Sequence, residues 1–311
     1  MLRSFVARAL THQPVKARQA VAMAATASAS RIRFVSTSSS STDAPPADKE
    51  CYLQRLEGAD QGIAVINLHR PKASNALSRK FVNEFRGALE ELRYDNEARV
   101  VILRSLVDGI FCAGADLRER ATMSPVEVKQ FLANLRESFR DLETLPIPTI
   151  AVIDGAALGG GLEMALCCDM RIGSAHPKVK IGLVETRLAI IPGAGGTQRL
   201  PRLIGIPKAK ELIYSSKILN AKDAKEVGIL NHAVDETSGY EKALSIARDI
   251  LPMGPVAIRM AKSAIDKGTQ FEIDSGLEYE QACYAQIIPT EDRLEGLAAF
   301  REKRKPVYKG K

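Results

Sequence analysis

Tryptophan is absent from this chain, aromatic residues make up only 5% of it, and histidine occurs four times in 311 residues. His12 lies in the basic leader, and His69, His176 and His232 stand alone, with no HxxxH or HExxH pattern. That argues against a metal centre and against a Ser/His/Asp triad, both of which need histidine beside partner groups. The scarce aromatics form no RNP motif, so base stacking on a sheet is not expected either. Five cysteines (Cys51, Cys112, Cys167, Cys168, Cys283) form neither CxxC pairs nor a secreted disulfide framework.

Acidic residues are missing from the first 42 positions, which hold Arg3, Arg8, Lys16, Arg18, Arg31 and Arg33. Those six account for most of the formal +7, leaving a body near +1. A basic, Ala- and Ser-rich stretch without acids reads as a mitochondrial transit peptide over residues 1–36, with processing around 31–36. Its apolar residues are too scattered for a membrane span, and the expected compartment is the mitochondrial matrix, where the cysteines stay reduced. Residues 37–50 read as a flexible Ser/Pro-rich linker.

From Cys51 onward short apolar runs alternate with amphipathic stretches, the pattern of an α/β fold. Strands are predicted at 63–68, 100–103 and 149–153. Ser78 caps a predicted helix that buries Phe81, Val82, Phe85, Ala88, Leu89 and Leu92. A second helix is predicted from Pro125 to about residue 145, ended by Pro146 and Pro148. Beyond Gly196 the pattern is mostly helical, with segments at 197–203, 207–215, 221–226, 240–251, 255–267, 273–288 and 291–303. The expected division is a core over 51–240 and a C-terminal helical region over 241–311.

What is present in place of histidine is a pair of carboxylates beside glycines. Glu163 ends Gly159-Gly160-Gly161-Leu162-Glu163, and Glu185 precedes Pro192-Gly193-Ala194-Gly195-Gly196. Glycines let a backbone approach a ligand and present its N–H groups. Such donors can hold the negative charge that develops on a carbonyl oxygen, while two carboxyl groups manage the protons of an added water. A glycine triplet alone marks no more than a tight turn. The acid three residues after its middle glycine, with a second glycine run downstream, favours chemistry.

Arg70-Pro71-Lys72-Ala73, Phe111-Cys112-Ala113-Gly114-Ala115-Asp116, residues 155–163 and residues 191–200 together resemble the enoyl-CoA hydratase (crotonase) family, from about residue 51 to the C-terminus. Residues 182–191 and Ala282-Cys283-Tyr284-Ala285-Gln286 are similar to its methylglutaconyl-CoA hydratase branch. The resemblance implies a crotonase-like spiral of ββα turns with a C-terminal helical oligomerisation region, assembled as a homotrimer or homohexamer. It implies an acyl-CoA substrate, with no metal and no cofactor beyond the coenzyme A the substrate carries. The reaction would be hydration of 3-methylglutaconyl-CoA in leucine degradation or of a short-chain enoyl-CoA in fatty-acid oxidation.

By the same resemblance, the N–H groups of Ala115 and Gly160 bind the thioester oxygen, Glu185 donates a proton to the α-carbon and Glu163 activates the water. A hydratase retains both glutamates, and this chain has both. Lys72, Ala73, Ala113, Asp116 and Leu117 match segments near coenzyme A, with Lys72 either a phosphate counter-charge or a solvated turn residue. Phe300 and Lys303 match a helix that reaches a neighbouring subunit's coenzyme A, or else form a basic solvated helix end. One departure is extra length in 171–181, expected to bulge near Pro177 and Lys178. RNA binding, a property of one relative's lysine-rich helix, is not expected, because residues 78–93 carry four basic residues against three acids.

Overall fold

The computed structural model describes residues 46–311. The expected transit peptide and residues 37–45 of the linker lie outside the described residues. Strand β1 (Cys51–Arg55) pairs antiparallel with β2 (Ile63–Leu68), and α1 (Arg79–Arg93) follows. A ββα pattern then repeats. The first turn is β3 (Val100–Ser105), β4 (Ile110–Cys112), α2 (Leu117–Ala121) and α3 (Pro125–Glu143). The second is β5 (Thr149–Ile153), β6 (Ala156–Leu158) and α4 (Gly160–Ala165). The third is β7 (Met170–Ser174) and β8 (Lys180–Gly182), followed by α5 (Gly196–Ile204), α6 (Ile206–Tyr214) and α7 (Ala221–Glu226). After β9 (His232–Val234) come α8 (Tyr240–Ile250), α9 (Pro255–Gly268), α10 (Ile273–Ala285) and α11 (Glu291–Glu302).

Each turn places its first strand in a six-stranded sheet, β1-β2-β3-β5-β7-β9, and its second in a three-stranded sheet, β4-β6-β8. Apart from β1, neighbouring strands run parallel. Parallel strands are covered on both faces, which is why β2 and β5 are buried along their whole length. Side-chain alternation sorts the two faces. Ala64, Ile66, Leu68, Val101 and Leu103 meet Phe81, Phe85 and Leu89 of α1 and Phe139 of α3 in the main core. Ile63, Val65, Val100, Ile102, Ile150 and Val152 face Ala243, Leu244 and Ala247 of α8. The helix that opens the expected C-terminal region therefore packs as a layer of the sheet. Large exposed apolar side chains gather instead on α9 to α11 and their connections, including Phe271, Ile273, Leu277 and Leu297.

The α1 stripe contains the six residues its spacing predicts, and the Ser78 hydroxyl accepts the Phe81 N–H at 3.0 Å. Pro177 and Lys178 form a turn between β7 and β8, the place where the sequence reading put the extra length. The sequence reading did not include the small sheet, β1, β7, β9 or α2.

Helix α4 packs tightly on β4 at Gly161, where a β-carbon would stand 2.1 Å from the Cys112 carbonyl oxygen. Gly161→Ala must push α4 off β4 and should lower stability by about 1–3 kcal/mol or more. Gly87, in the interior of α1, has open space around it. Gly87→Ala should raise stability by about 0.5–1 kcal/mol. Urea denaturation of the two variants reads both signs.

Candidate active site

Strands β4, β6 and β8 are parallel, with Cys112 beside Ala157 after a register shift in β4 and Leu158 beside Gly182, so their carboxyl ends emerge on one side. Ligands in α/β folds bind outside such strand ends. Three loops meet there: 113–116 after β4, 159–163 after β6 and 183–185 after β8. An open cavity of about 2190 Å³ lies over them, and Ala115, Gly160, Glu163 and Glu185 all line it.

The backbone around Ala115 is fixed by an isolated parallel bridge to Leu77. Leu77 N–H donates to Gly114 O at 2.8 Å and Asp116 N–H to Leu77 O at 3.5 Å. In a parallel pairing the intervening residue points its own N–H the other way, which turns the Ala115 N–H from Leu77. Gly160 is the first residue of α4, where an N–H has no acceptor within the helix. Neither N–H donates to another backbone group of the described residues. The two peptides are neighbours, since a β-carbon at Gly160 would stand 3.9 Å from the Ala115 nitrogen. The preceding Gly159 has φ 52° and ψ −123°, a conformation that only glycine adopts readily.

Glu163 is 3% exposed, and its Oε1 accepts two peptide N–H groups, from Ala194 and Gly196, each at 2.8 Å. Burial raises its pKa, while the Gly196 and Ala194 N–H groups and the charges of Arg199 and Arg136 act against the rise. Glu185 is treated differently. Both of its side-chain oxygens are buried without a hydrogen-bond partner. Its pKa is pushed up to about 7, first by burial and then by the negative charge of Glu163. The cavity thus holds one carboxyl group whose anion is hydrogen-bonded and one that keeps its proton up to about pH 7.

Of the other expected positions, Ala113 and Leu117 also line the cavity, whereas Lys72, Ala73, Asp116, Phe300 and Lys303 do not. Lys72 and Ala73 lie in a short turn at 71–73. The Asp116 carboxylate caps α2 through the Arg118 and Glu119 N–H groups and pairs with Arg70 at 2.7 Å. Phe300 is 87% exposed on α11, outside this chain's cavity. Sequence reasoning missed the partners of Glu163, which lie 31 and 33 positions downstream in the second glycine run. It also missed the wall built by Val128, Leu132, Arg136, Arg140 and Glu143 of α3. Their three- and four-residue spacing was a legible signal, one helix face beside the buried stripe of Phe131, Leu135 and Phe139. No group of three or more His, Cys, Asp or Glu side chains suited to a metal occurs among the described residues, and no helix among them is long and apolar enough to cross a membrane.

A family model described as enoyl-CoA hydratase/isomerase matches residues 58–311. The mitochondrial methylglutaconyl-CoA hydratase of Homo sapiens is 51% identical over 267 residues, covering 85% of this chain and 78% of that protein. The mitochondrial enoyl-CoA hydratase domain-containing protein 2 of Mus musculus is 50% identical over 283 residues, covering 90% of this chain and 95% of that protein. The crystal structure of an enoyl-CoA hydratase from Bacillus anthracis superposes with a TM-score of 0.80 at 43% identity, covering 85% of this chain and all of that one.

The raised Glu185 pKa has a measurable consequence. Because the fold holds this proton more tightly than the unfolded chain does, the group costs no stability below about pH 4.5 and progressively more as pH rises toward about 7. Glu185→Gln removes that cost. In urea titrations the variant should gain stability on the parent across this window and keep a constant margin above it. A margin that is flat from acid to neutral pH would exclude the shift.

Proposed function

The chain belongs to the enoyl-CoA hydratase/isomerase family, and from that premise we propose that it reversibly adds water, syn, across the 2,3 double bond of a 2-enoyl-CoA thioester. One observation carries the reading: two carboxyl groups, one hydrogen-bonded by two peptide N–H groups and one without a partner, face the same cavity as the Ala115 and Gly160 N–H groups. The thioester oxygen accepts from the Ala115 and Gly160 N–H groups, which hold the enolate charge as it forms. Ionised Glu163 takes a proton from water while the water oxygen bonds to C3. Protonated Glu185 gives its proton to C2, and both new bonds form on the face the acids share. Proton exchange between the coupled pair and solvent then restores the starting state. The reaction needs no metal and no cofactor beyond the coenzyme A of the substrate, whose carrier groups we place near Lys72, Ala73, Ala113 and Leu117.

For the substrate we favour 3-methylglutaconyl-CoA, giving 3-hydroxy-3-methylglutaryl-CoA in leucine degradation. The similarity of residues 182–191 and 282–286 to that branch supports it, as does the activity for which the human relative is named. A short-chain enoyl-CoA is the second reading, favoured by the equally similar enoyl-CoA hydratase domain-containing relative. The basic leader and the mitochondrial names of relatives support a matrix location. Exposed apolar side chains on α9 to α11 support assembly into a homotrimer or homohexamer, in which Phe300 and Lys303 would serve a neighbour's coenzyme A. RNA is not part of the proposal. On α1, Arg79 pairs with Glu127, Arg86 with Glu137 and Arg93 with Asp141, which leaves that face little free positive charge.

Glu163→Gln and Glu185→Gln should each lower the hydration rate by ~10²-fold or more, followed as loss of the conjugated thioester absorbance. Near-parental rates in both variants would remove the mechanism. Comparing kcat/KM for 3-methylglutaconyl-CoA with that for crotonyl-CoA decides the substrate, and an excess for crotonyl-CoA would favour the fatty-acid reading.

A further inference from the structure

Four cations around the cavity already have an acid. Arg140 lies 2.8 Å from Glu143, and Arg199 grips the same carboxylate through Nε and Nη2 at 2.8 and 3.0 Å. Arg93 is 3.4 Å from Asp141, and Lys262 is 2.8 Å from Asp169. Arg136, one turn before Arg140 on the same face of α3, has no carboxylate partner among the described residues. Its hydrogen bond runs from Nε to the Gly193 carbonyl, at 2.7 Å. The next residue, Ala194, is one of the two that hold Glu163 Oε1. About 3.8 Å of chain, one peptide step, therefore separates the anchor of this guanidinium from the anchor of a catalytic carboxylate. With Nε occupied, the Nη1–Nη2 edge is left over, the edge that makes two parallel bonds to a carboxylate.

We propose that Arg136 is the specificity-determining residue of the proposed hydratase, binding a carboxylate carried at the far end of the acyl chain. The inference rests on the hydration reading, which puts C3 of the substrate beside Glu163. Two further carbon–carbon bonds span about 2.5 Å, enough to carry a C5 carboxylate away from Glu163 and toward the free guanidinium edge. The apolar wall of Val128 and Leu132 adjoins the same space and suits the intervening carbons. A neutral acyl chain would leave the Nη1–Nη2 edge of Arg136 with only solvent to bond. Of the other cavity cations without a carboxylate partner, Arg120 stacks on Phe131 with its guanidinium 4.9 Å from the ring centroid, Arg202 bonds Gln198 and Lys267 lies over Tyr279, and neither these nor Arg259 has a hydrogen bond to the 193–196 turn among the described residues.

The test compares kcat/KM for glutaconyl-CoA and for its methyl-terminated counterpart 2-pentenoyl-CoA, using the full-length protein and its Arg136→Gln, Arg136→Lys and Arg120→Gln variants. Loss of a charge-assisted hydrogen bond predicts that Arg136→Gln lowers the glutaconyl-to-pentenoyl ratio about 10–10²-fold, mainly through KM, with Arg136→Lys intermediate. An unchanged ratio overturns the inference. This includes the case in which both substrates lose equally, because Arg136 would then be only a strap on the 193–196 turn or a charge acting on Glu163. A ratio that falls in Arg120→Gln but not in Arg136→Gln overturns it as well. A parent protein that hydrates 2-pentenoyl-CoA but not glutaconyl-CoA refutes this assignment while leaving the hydratase reading intact. A parent that hydrates neither refutes both.

Discussion

A carboxylate can be buried in a protein core only if something replaces the water it gives up, and at this site the replacement is two peptide N–H groups aimed at one oxygen of Glu163. Leaving an ion of this size unpaired would cost several kcal/mol, so the 193–196 turn and the start of α4 have to be held together. Gly195, at φ 112°, gives the turn the shape that directs the N–H groups on either side of it toward the same acceptor. Arg136 and Arg199 brace this turn from outside, through the carbonyls of Gly193 and Ala194. The second glycine run therefore acts as the seat of the first acid.

That support is given to one carboxyl group and withheld from the other, and the asymmetry produces two chemistries from one residue type. The oxygens of Glu185 are buried without a donor and within the field of Glu163, so it holds its proton up to about pH 7. Two equally solvated glutamates would both be ionised and would repel each other. Topology makes the asymmetry possible. Parallel strands β4, β6 and β8 end side by side, so each turn of the spiral delivers a different piece: one amide from the first, another amide and an acid from the second, the second acid from the third.

Long elements were legible in the sequence because they contain full periods. The six-residue stripe of α1 and the strands β2 and β5 repeat their spacing often enough to specify type and facing. The small sheet was not legible, since each of its strands is three residues long and includes no complete alternation. The layer that carries the site is thus the one a periodicity argument cannot detect. Glu163 and Glu185 stood out because acids beside glycine runs are chemically suggestive. Their unequal protonation could not be read, because it depends on donors more than thirty positions away and on the depth at which each oxygen sits.

Asp116 shows how a motif residue can matter to a site it does not line. Its carboxylate receives Arg70 Nη1, which also donates to the Ala76 carbonyl at 2.8 Å, while Arg70 Nε reaches Glu50 at 3.0 Å. The Arg70 N–H is bound by Asn75, whose side-chain amide in turn holds Ser105 and the Phe111 carbonyl. This network clamps the 70–78 loop onto the end of β4, and the clamped loop supplies Leu77, whose bridge turns the Ala115 N–H toward the cavity. An oxyanion donor is useful only if its direction is fixed before charge develops. In the proposed hydration Asp116 would act through the orientation of one peptide plane, and the Arg70–Pro71 and Ala115–Asp116 motifs, forty-odd residues apart in sequence, form a single mechanical unit.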